Sequence, residues 1–171
     1  ISKLESGSLV LEHKSFDLAE LLSNNLTVVA MSAYENGVRF EGGVEASTIR
    51  HRYLIGSPIH LSRVLMNLAS NAIKYNHSGG SVTVSMQQEN QQVLLHIADT
   101  GCGIPEKYRE SIFQPFFRVD KSRSRQMGGV GLGLALVREI AVLHGGSVCV
   151  ESGSKDGTTF AVKLPLNGEK T

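Results

Sequence analysis

Apolar residues recur at helical spacing through Leu61–Asn76, where Leu61, Val64, Leu65, Leu68 and Ala72 fall on one stripe that can dock on a core. The opposite stripe carries Arg63, Asn67, Asn71 and Lys74, so amide oxygens and an ammonium point the same way. Ser57-Pro58 starts this helix, with Pro at the first helical position, where its missing N–H costs nothing. Upstream, residues 1–7 read as the last turns of a helix stopped by Gly7, and Ser8–Lys14 alternates as a short strand. Asp17 and Glu20 form a capping-box pattern at the head of a second helix carrying Leu18, Leu21, Leu22, Leu26 and Val29. Asn36-Gly37 is a turn, and Val38–Glu45 and Arg50–Ile55 read as two strands joined by a polar hairpin.

Past the central helix, His77–Gly80 is a turn, and Ser81–Gln88 and Gln92–Ala98 alternate as a strand pair. Pro105–Ile112 predicts a short helix, Gln114–Gly129 a long polar loop, and Val130–His144 a strongly apolar helix closed by Gly145-Gly146. Ser147–Ser152 and Thr158–Leu164 are the final strands, and Asn167–Thr171 is expected to be a frayed, disordered tail. Five to seven strands and three sizeable helices in irregular alternation favour an α/β two-layer sandwich with a mixed sheet over a doubly wound parallel one.

Composition narrows the function classes. The 171 residues suit one domain with a real core, and 41% hydrophobic against 19% charged content marks a globular chain. Lys+Arg 17 against Asp+Glu 16 leaves no basic field for nucleic acid. Two cysteines, Cys102 and Cys149, are too few for a disulfide scaffold or a zinc site, and a reducing cytoplasm is the simplest setting. No apolar run approaches the ~20 residues of a membrane span. A first residue of Ile1 rather than Met makes an excised piece of a longer chain the expectation.

Three stretches carry candidate chemistry. Asn67, Ser70 and Asn71 are each poorer helix formers than Ala by roughly 0.5 kcal/mol, and for an isolated Asn pair a solvated face is the ordinary explanation. Asp99-x-Gly101-x-Gly103 ends a strand; its glycines let backbone approach a flat ligand, and Asp99 can accept from an exocyclic amine. Taken alone the motif is weak, and a tight turn after a strand is the more common explanation. Gly128-Gly129-Val130-Gly131-Leu132-Gly133-Leu134 places glycines where a loop becomes a helix, and a helix N-terminus with open N–H groups attracts anions. This is neither a dinucleotide fingerprint, because Leu134 stands at the third glycine position, nor a P-loop, because no Gly-Lys-Ser/Thr exists. None of the six His has metal-ligand spacing with another ligand.

Together these stretches resemble the catalytic and ATP-binding domain of two-component sensor histidine kinases, within the GHKL ATPase superfamily. Asn67–Tyr75 resembles the N box, Asp99–Ile104 the first glycine box, and Ile112–Arg118 the F box. Gly129–Leu134 resembles the second glycine box and Gly157–Phe160 the third. The resemblance covers residues 8–166, with a lid at 114–129, and residues 1–7 resemble the end of a preceding dimerisation helix. It implies a mostly antiparallel mixed sheet of about five main strands covered on one face by three helices. It also implies ATP and Mg2+ as ligands. Asn67 and Asn71 would hold the magnesium, Lys74 would pair with phosphate, and Tyr75 and Ile104 would sandwich adenine while Asp99 bonds its amine. Gly101 and Gly103 belong to that first box, and Thr158 would support the same end of the pocket. Gly129, Val130, Gly131, Leu132, Gly133 and Leu134 would wrap the phosphates, with Arg118 and Lys121 near the γ-phosphate. Phe113, Phe116 and Phe117 would anchor the lid in the core.

One position separates branches of the superfamily. Members that hydrolyse ATP usually carry Glu, as general base, four residues before the magnesium Asn; here Asn67 stands there, and an amide takes no proton at neutral pH. Histidine as phosphate acceptor follows, yet none of the six His fits the acceptor motif. The resemblance therefore implies an acceptor on a separate dimerisation domain of the same protein, with a response regulator downstream. The fragment itself is expected to be monomeric, and its parent a plasma-membrane sensor with this domain in the cytoplasm. The rival readings are a GHKL ATPase and a nucleotide-binding regulatory module without kinase activity.

Overall fold

The computed structural model describes residues 11–42, 51–117, 133–154 and 157–170. Strand β1 (Lys14–Asp17) leads directly into α1 (Leu18–Glu35), followed by β2 (Arg39–Gly42) and β3 (Tyr53–Gly56). Helix α2 (Pro58–Lys74) precedes the strand pair β4 (Ser81–Glu89) and β5 (Gln92–Asp99). Helix α3 (Gly133–Leu143), β6 (Ser147–Ser154) and β7 (Gly157–Pro165) complete the described elements. Five strands form one mixed sheet in the order β2-β4-β5-β7-β6, in which only β2 and β4 run parallel.

Alternation decides which face of that sheet is buried. Val82, Val84 and Met86 of β4, Val93, Leu95 and Ile97 of β5, and Phe160, Val162 and Leu164 of β7 join one core with the helices. The helices supply Leu22, Leu26 and Val29 from α1, Leu61, Val64, Leu65 and Leu68 from α2, and Val137 and Ile140 from α3. Thr83, Ser85 and Gln87 point to the other face. The two-layer sandwich with helices on one side is thus the observed architecture.

Caps set the helix ends. Asp17 Oδ1 accepts from Ala19 N and Glu20 N at 3.0 and 3.3 Å, and Asp17 Oδ2 pairs with Arg52 at 2.9 Å, tying α1 to the start of β3. At the end of α3, Gly145 takes φ +78 so that Gly145 N reaches Val142 O and Gly146 N reaches Ala141 O, each at 2.9 Å. That paired bonding satisfies carbonyls the helix leaves open and stops it where the glycine pair predicts.

Four expectations need correction. The hairpin expected over 38–55 does not form: β2 lies beside β4, and β3 pairs antiparallel with β1 in a separate two-stranded sheet. Alternation marks a buried face but does not choose the neighbouring strand; here Leu18 N bonds Arg52 O at 2.8 Å and claims β3 for the entry to α1. The first strand begins at Lys14 rather than ending there, with Leu11–His13 irregular and Ser8–Val10 outside the described residues. Pro105–Ile112 is not an α-helix: Glu106–Tyr108 and Ser111–Phe113 are separate 3₁₀ turns, closed by bonds such as Tyr108 N to Pro105 O at 2.9 Å. The tail is held rather than frayed at Asn167–Glu169. Asn167 Oδ1 accepts from Ile55 N, Gly168 N donates to Tyr53 O, and Glu169 N donates to Ser15 Oγ.

Leu68 is fully buried on the face of α2 opposite the amide row. Leu68→Ala is expected to lower the unfolding free energy by about 2–5 kcal/mol, the range for buried Leu truncations, read as a shift in a urea titration at unchanged slope.

Candidate functional site

Burying the apolar stripe of α2 leaves Asn67, Asn71 and Lys74 on its outer side, where both amides are half-buried. Asn67 Nδ2 donates to Gly133 O at 3.5 Å, and a Cβ on Gly133 would stand 3.9 Å from Asn67 Cγ. The first described turn of α3 therefore lies over the middle of α2, as the glycine-rich sequence requires. Among the described residues Asn71 makes no side-chain hydrogen bond. Lys74 Nζ sits 5.6 Å from the Tyr75 ring centroid.

The second half of the site forms where β5 ends beside β7. Tyr75 is the C-cap of α2, and its carbonyl accepts from Cys102 N at 3.3 Å. A Cβ at position 101 would stand 2.5 Å from that same carbonyl, so only glycine lets the loop cross the helix end so closely. Gly103 takes φ +75, and Ile104 packs against the core edge. Asp99 pairs in register with buried Thr158, and its Oδ1 accepts from Gly101 N at 2.8 Å. Gly157, at φ +138, passes so close to Asp99 O that no side chain fits there.

Burial pushes the Asp99 carboxyl above its ordinary pKa, and the backbone hydrogen bonds from Gly101 and Thr158 only partly oppose that. Among the described residues no salt-bridging cation stands beside this half-buried carboxylate at the strand end.

Sequence reasoning missed the brace behind this pocket. Thr100 Oγ1 accepts from Ser81 N at 2.8 Å and donates to Asn76 Oδ1 at 3.2 Å, while Asn76 Nδ2 donates to Ser81 O at 2.9 Å. These bonds join the end of α2 to the ends of β4 and β5. The polar pair Asn76-His77 and the glycines at 79 and 80 signal a turn, but nothing local says that Thr100 closes it.

The lid base is partly as expected. Phe113 is buried edge-on to Phe160 at 6.2 Å, Arg138 lies 5.8 Å over the Phe113 ring, and Phe117 packs on Tyr108 at 5.6 Å. Phe116 differs: it is 54% exposed at φ +65 and anchors nothing in the core. Arg118, Lys121, Gly129, Val130, Gly131 and Leu132 lie outside the described residues, whereas Leu134 is described and half-buried. Among the described residues no group of three or more His, Cys, Asp or Glu could hold a metal.

Comparison with known proteins matches this arrangement. Residues 56–168 fit the family described as histidine kinase-, DNA gyrase B-, and HSP90-like ATPase. The circadian input-output histidine kinase CikA of Synechococcus elongatus is 33% identical over 165 residues, 96% of this chain. The chain spans about a fifth of that relative, 22% of its length. The mycobacterial sensor histidine kinase MprB superposes with a TM-score of 0.74 at 31% identity, over 90% of this chain and 97% of that one. Full-length ShkA in complex with AMPPNP superposes with a TM-score of 0.81 at 27% identity, over 96% of this chain and 33% of that one. The chain belongs to this ATPase family, as a catalytic, ATP-binding domain of the sensor histidine kinase type.

Because the folded-state pKa of Asp99 is raised, the folded protein binds more protons than the unfolded chain between the ordinary value and the shifted one. Stability associated with Asp99 is therefore greatest at low pH and is lost as pH rises through the shifted value. Asp99→Asn is expected to melt above the parent at pH 7, with the gap closing as pH falls below that window, measured by calorimetry across pH.

Proposed function

We propose that this domain binds Mg-ATP and donates the γ-phosphoryl group to a histidine on a separate dimerisation domain in two-component signalling. The observation that carries the reading is Asn67: the position facing the first turn of α3 holds an amide, which cannot take a proton from water. Water is then a poor nucleophile, and a neutral imidazole, which needs no base, is a competent one. Its unprotonated ring nitrogen attacks the γ-phosphorus, the bond to the bridging oxygen breaks, ADP leaves with the electron pair, and the other ring nitrogen then releases its proton to solvent. A known relative, ShkA, accepts the ATP analogue AMPPNP in the same fold, which supports the choice of nucleotide.

Each residue has a task in this reading. Asp99 accepts from the adenine amine through the carboxylate oxygen left by Gly101, and Tyr75 and Ile104 flank the base. Thr158 holds the floor of that end. Lys74 neutralises phosphate oxygens, and Gly129, Gly131 and Gly133 let backbone N–H groups approach the phosphates. Arg118 and Lys121 stabilise charge at the γ-phosphate. Asn67 and Asn71 fit a magnesium ion, which is a hard cation taking oxygen ligands and keeping several from phosphates and water; two neutral amide oxygens supply a share of that shell. The ion would neutralise phosphate charge. The acceptor domain and, after it, a response regulator are the partners, and the near-neutral charge offers no basic field for nucleic acid. Among the described residues no helix is long and apolar enough to cross a membrane, so a membrane-anchored parent would place its anchor elsewhere.

Incubation with a purified acceptor domain and γ-labelled ATP is expected to give acid-labile phosphohistidine; tight ATP binding without label transfer would instead favour a regulatory module. Asn71→Ala is expected to weaken Mg-ATP binding by about tenfold or more, the cost of one lost ligand to a charged group. Asn67→Glu is expected to raise ATP hydrolysis by about a hundredfold, the low end for a positioned general base; unchanged turnover would count against the assigned role of this position.

A further inference from the structure

His144, the first residue past α3, is buried far from the nucleotide end of the site, and nothing in the proposed chemistry uses it. Its Nε2 accepts from Ser57 N at 3.0 Å, so its proton sits on Nδ1, which donates to Ile140 O at 2.8 Å. Ser57 is the N-cap of α2 and almost fully buried, and the His144 ring packs on Gly56 so closely that no side chain fits there. The bond therefore joins the C-terminal end of α3 to the N-terminal end of α2. At the other end of α3, over the middle of α2, Asn67 Nδ2 meets Gly133 O. Ser57 to Asn67 and Gly133 to His144 are matched spans of about 15 Å at the α-helical rise. The two helices thus run antiparallel, with α3 pinned at both its ends against the N-cap and the middle of α2.

Between the pins lie Leu61, Val64 and Leu65 of α2 and Val137 and Ile140 of α3, all buried and apolar. Such packing is strong but has little direction along the helix axis. A hydrogen bond to a buried ring is directional, and leaving Ser57 N unpaired would be costly. We propose that His144 is a positioning residue that fixes where α3 sits along α2, and thereby where the glycine-rich turn at Gly133 stands relative to Asn67 and Asn71. This rests on the nucleotide-binding reading above and adds to it a remote determinant of affinity.

The same geometry makes the device pH-sensitive. Burial lowers the His144 pKa below the ordinary histidine value, with the positive forms of His60 and His13 adding to that and the Ile140 carbonyl opposing it. His60 faces it from α2, where its own Nδ1 bonds Ser57 Oγ at 2.7 Å, and His13 from the segment before β1. At neutral pH the ring is uncharged and the bond holds. Protonation places a second N–H against Ser57 N–H, two donors facing each other, and opens the latch. Sign and window follow: the latch is intact above the ordinary histidine value and is lost as pH falls through the lowered one.

The test follows the backbone amides of Ser57 and Gly133 by NMR from pH 8 to pH 5, alongside titration with a fluorescent ATP analogue in the presence of Mg2+. Both amides are expected to shift with the His144 midpoint, and nucleotide affinity to fall about five- to tenfold across the same step. His144→Gln offers an acceptor at that position that takes no proton, and is expected to lose both the shifts and the affinity step. His144→Phe, which fills the space without a hydrogen bond, is expected to bind nucleotide about five- to tenfold more weakly at every pH. If that variant fails to fold, the Gln comparison still decides. The proposal is overturned if Gly133 does not follow His144, or if His144→Gln keeps the affinity step. Absence of nucleotide binding by the parent at pH 8 would defeat the functional reading instead, and the Gly133 response would still decide the latch.

Discussion

The apolar stripe of α2 is buried on the sheet, and that burial forces Asn67, Asn71 and Lys74 outward in a row one helical turn apart. Leu68 sits fully buried beside exposed-side Asn67, so the core and the site are two sides of one helix. A rotation of the helix that eased the polar side would expose Leu61, Val64 and Leu65, each worth about 1.5–3 kcal/mol when buried. The orientation of the amide row is thus set by hydrophobic packing rather than by interactions among the amides themselves.

A second constraint comes from backbone proximity. The end of β5, the C-cap of α2 and the start of β7 converge so closely that Gly101 and Gly157 have no room for side chains. The convergence aims two backbone N–H groups at Asp99 and buries its carboxyl, which then resists ionisation. A fold selected for stability alone would put a neutral or apolar group there. In the proposed function, the retained carboxylate is the acceptor for the amine of a flat base.

The two parts of the site are held by different means. The base end is braced by the Thr100, Asn76 and Ser81 hydrogen bonds, which join the end of α2 to β4 and β5. The phosphate end depends on how α3 lies along α2, through the contact of Gly133 with Asn67 and the distant bond of His144 to Ser57. Phe113, edge-on to Phe160 and under Arg138, ties the described start of the lid to the core.

The sequence by itself determined the three long helices, their caps, the β4–β5 pair and which residues stand in the amide row and the Asp99 loop. Those signals are local: 3.6-residue and two-residue periodicity, an Asp or Ser at a helix start, a glycine past a helix end. It also placed the family, because several short boxes recur in order. Strand partnership was not legible, so β2 and β3, expected as a hairpin, separate into two sheets; alternation encodes a buried face and carries no record of the neighbour. Pro105–Ile112 read as helix because its composition permits one, yet only the tertiary setting selects 3₁₀ turns over so short a stretch. The exposure of Phe116, the Thr100 brace and the bond of His144 to Ser57 join residues far apart in the chain or depend on a surface the fold creates. Only the folded structure decides such contacts, because the distance between their partners in sequence leaves no periodic trace.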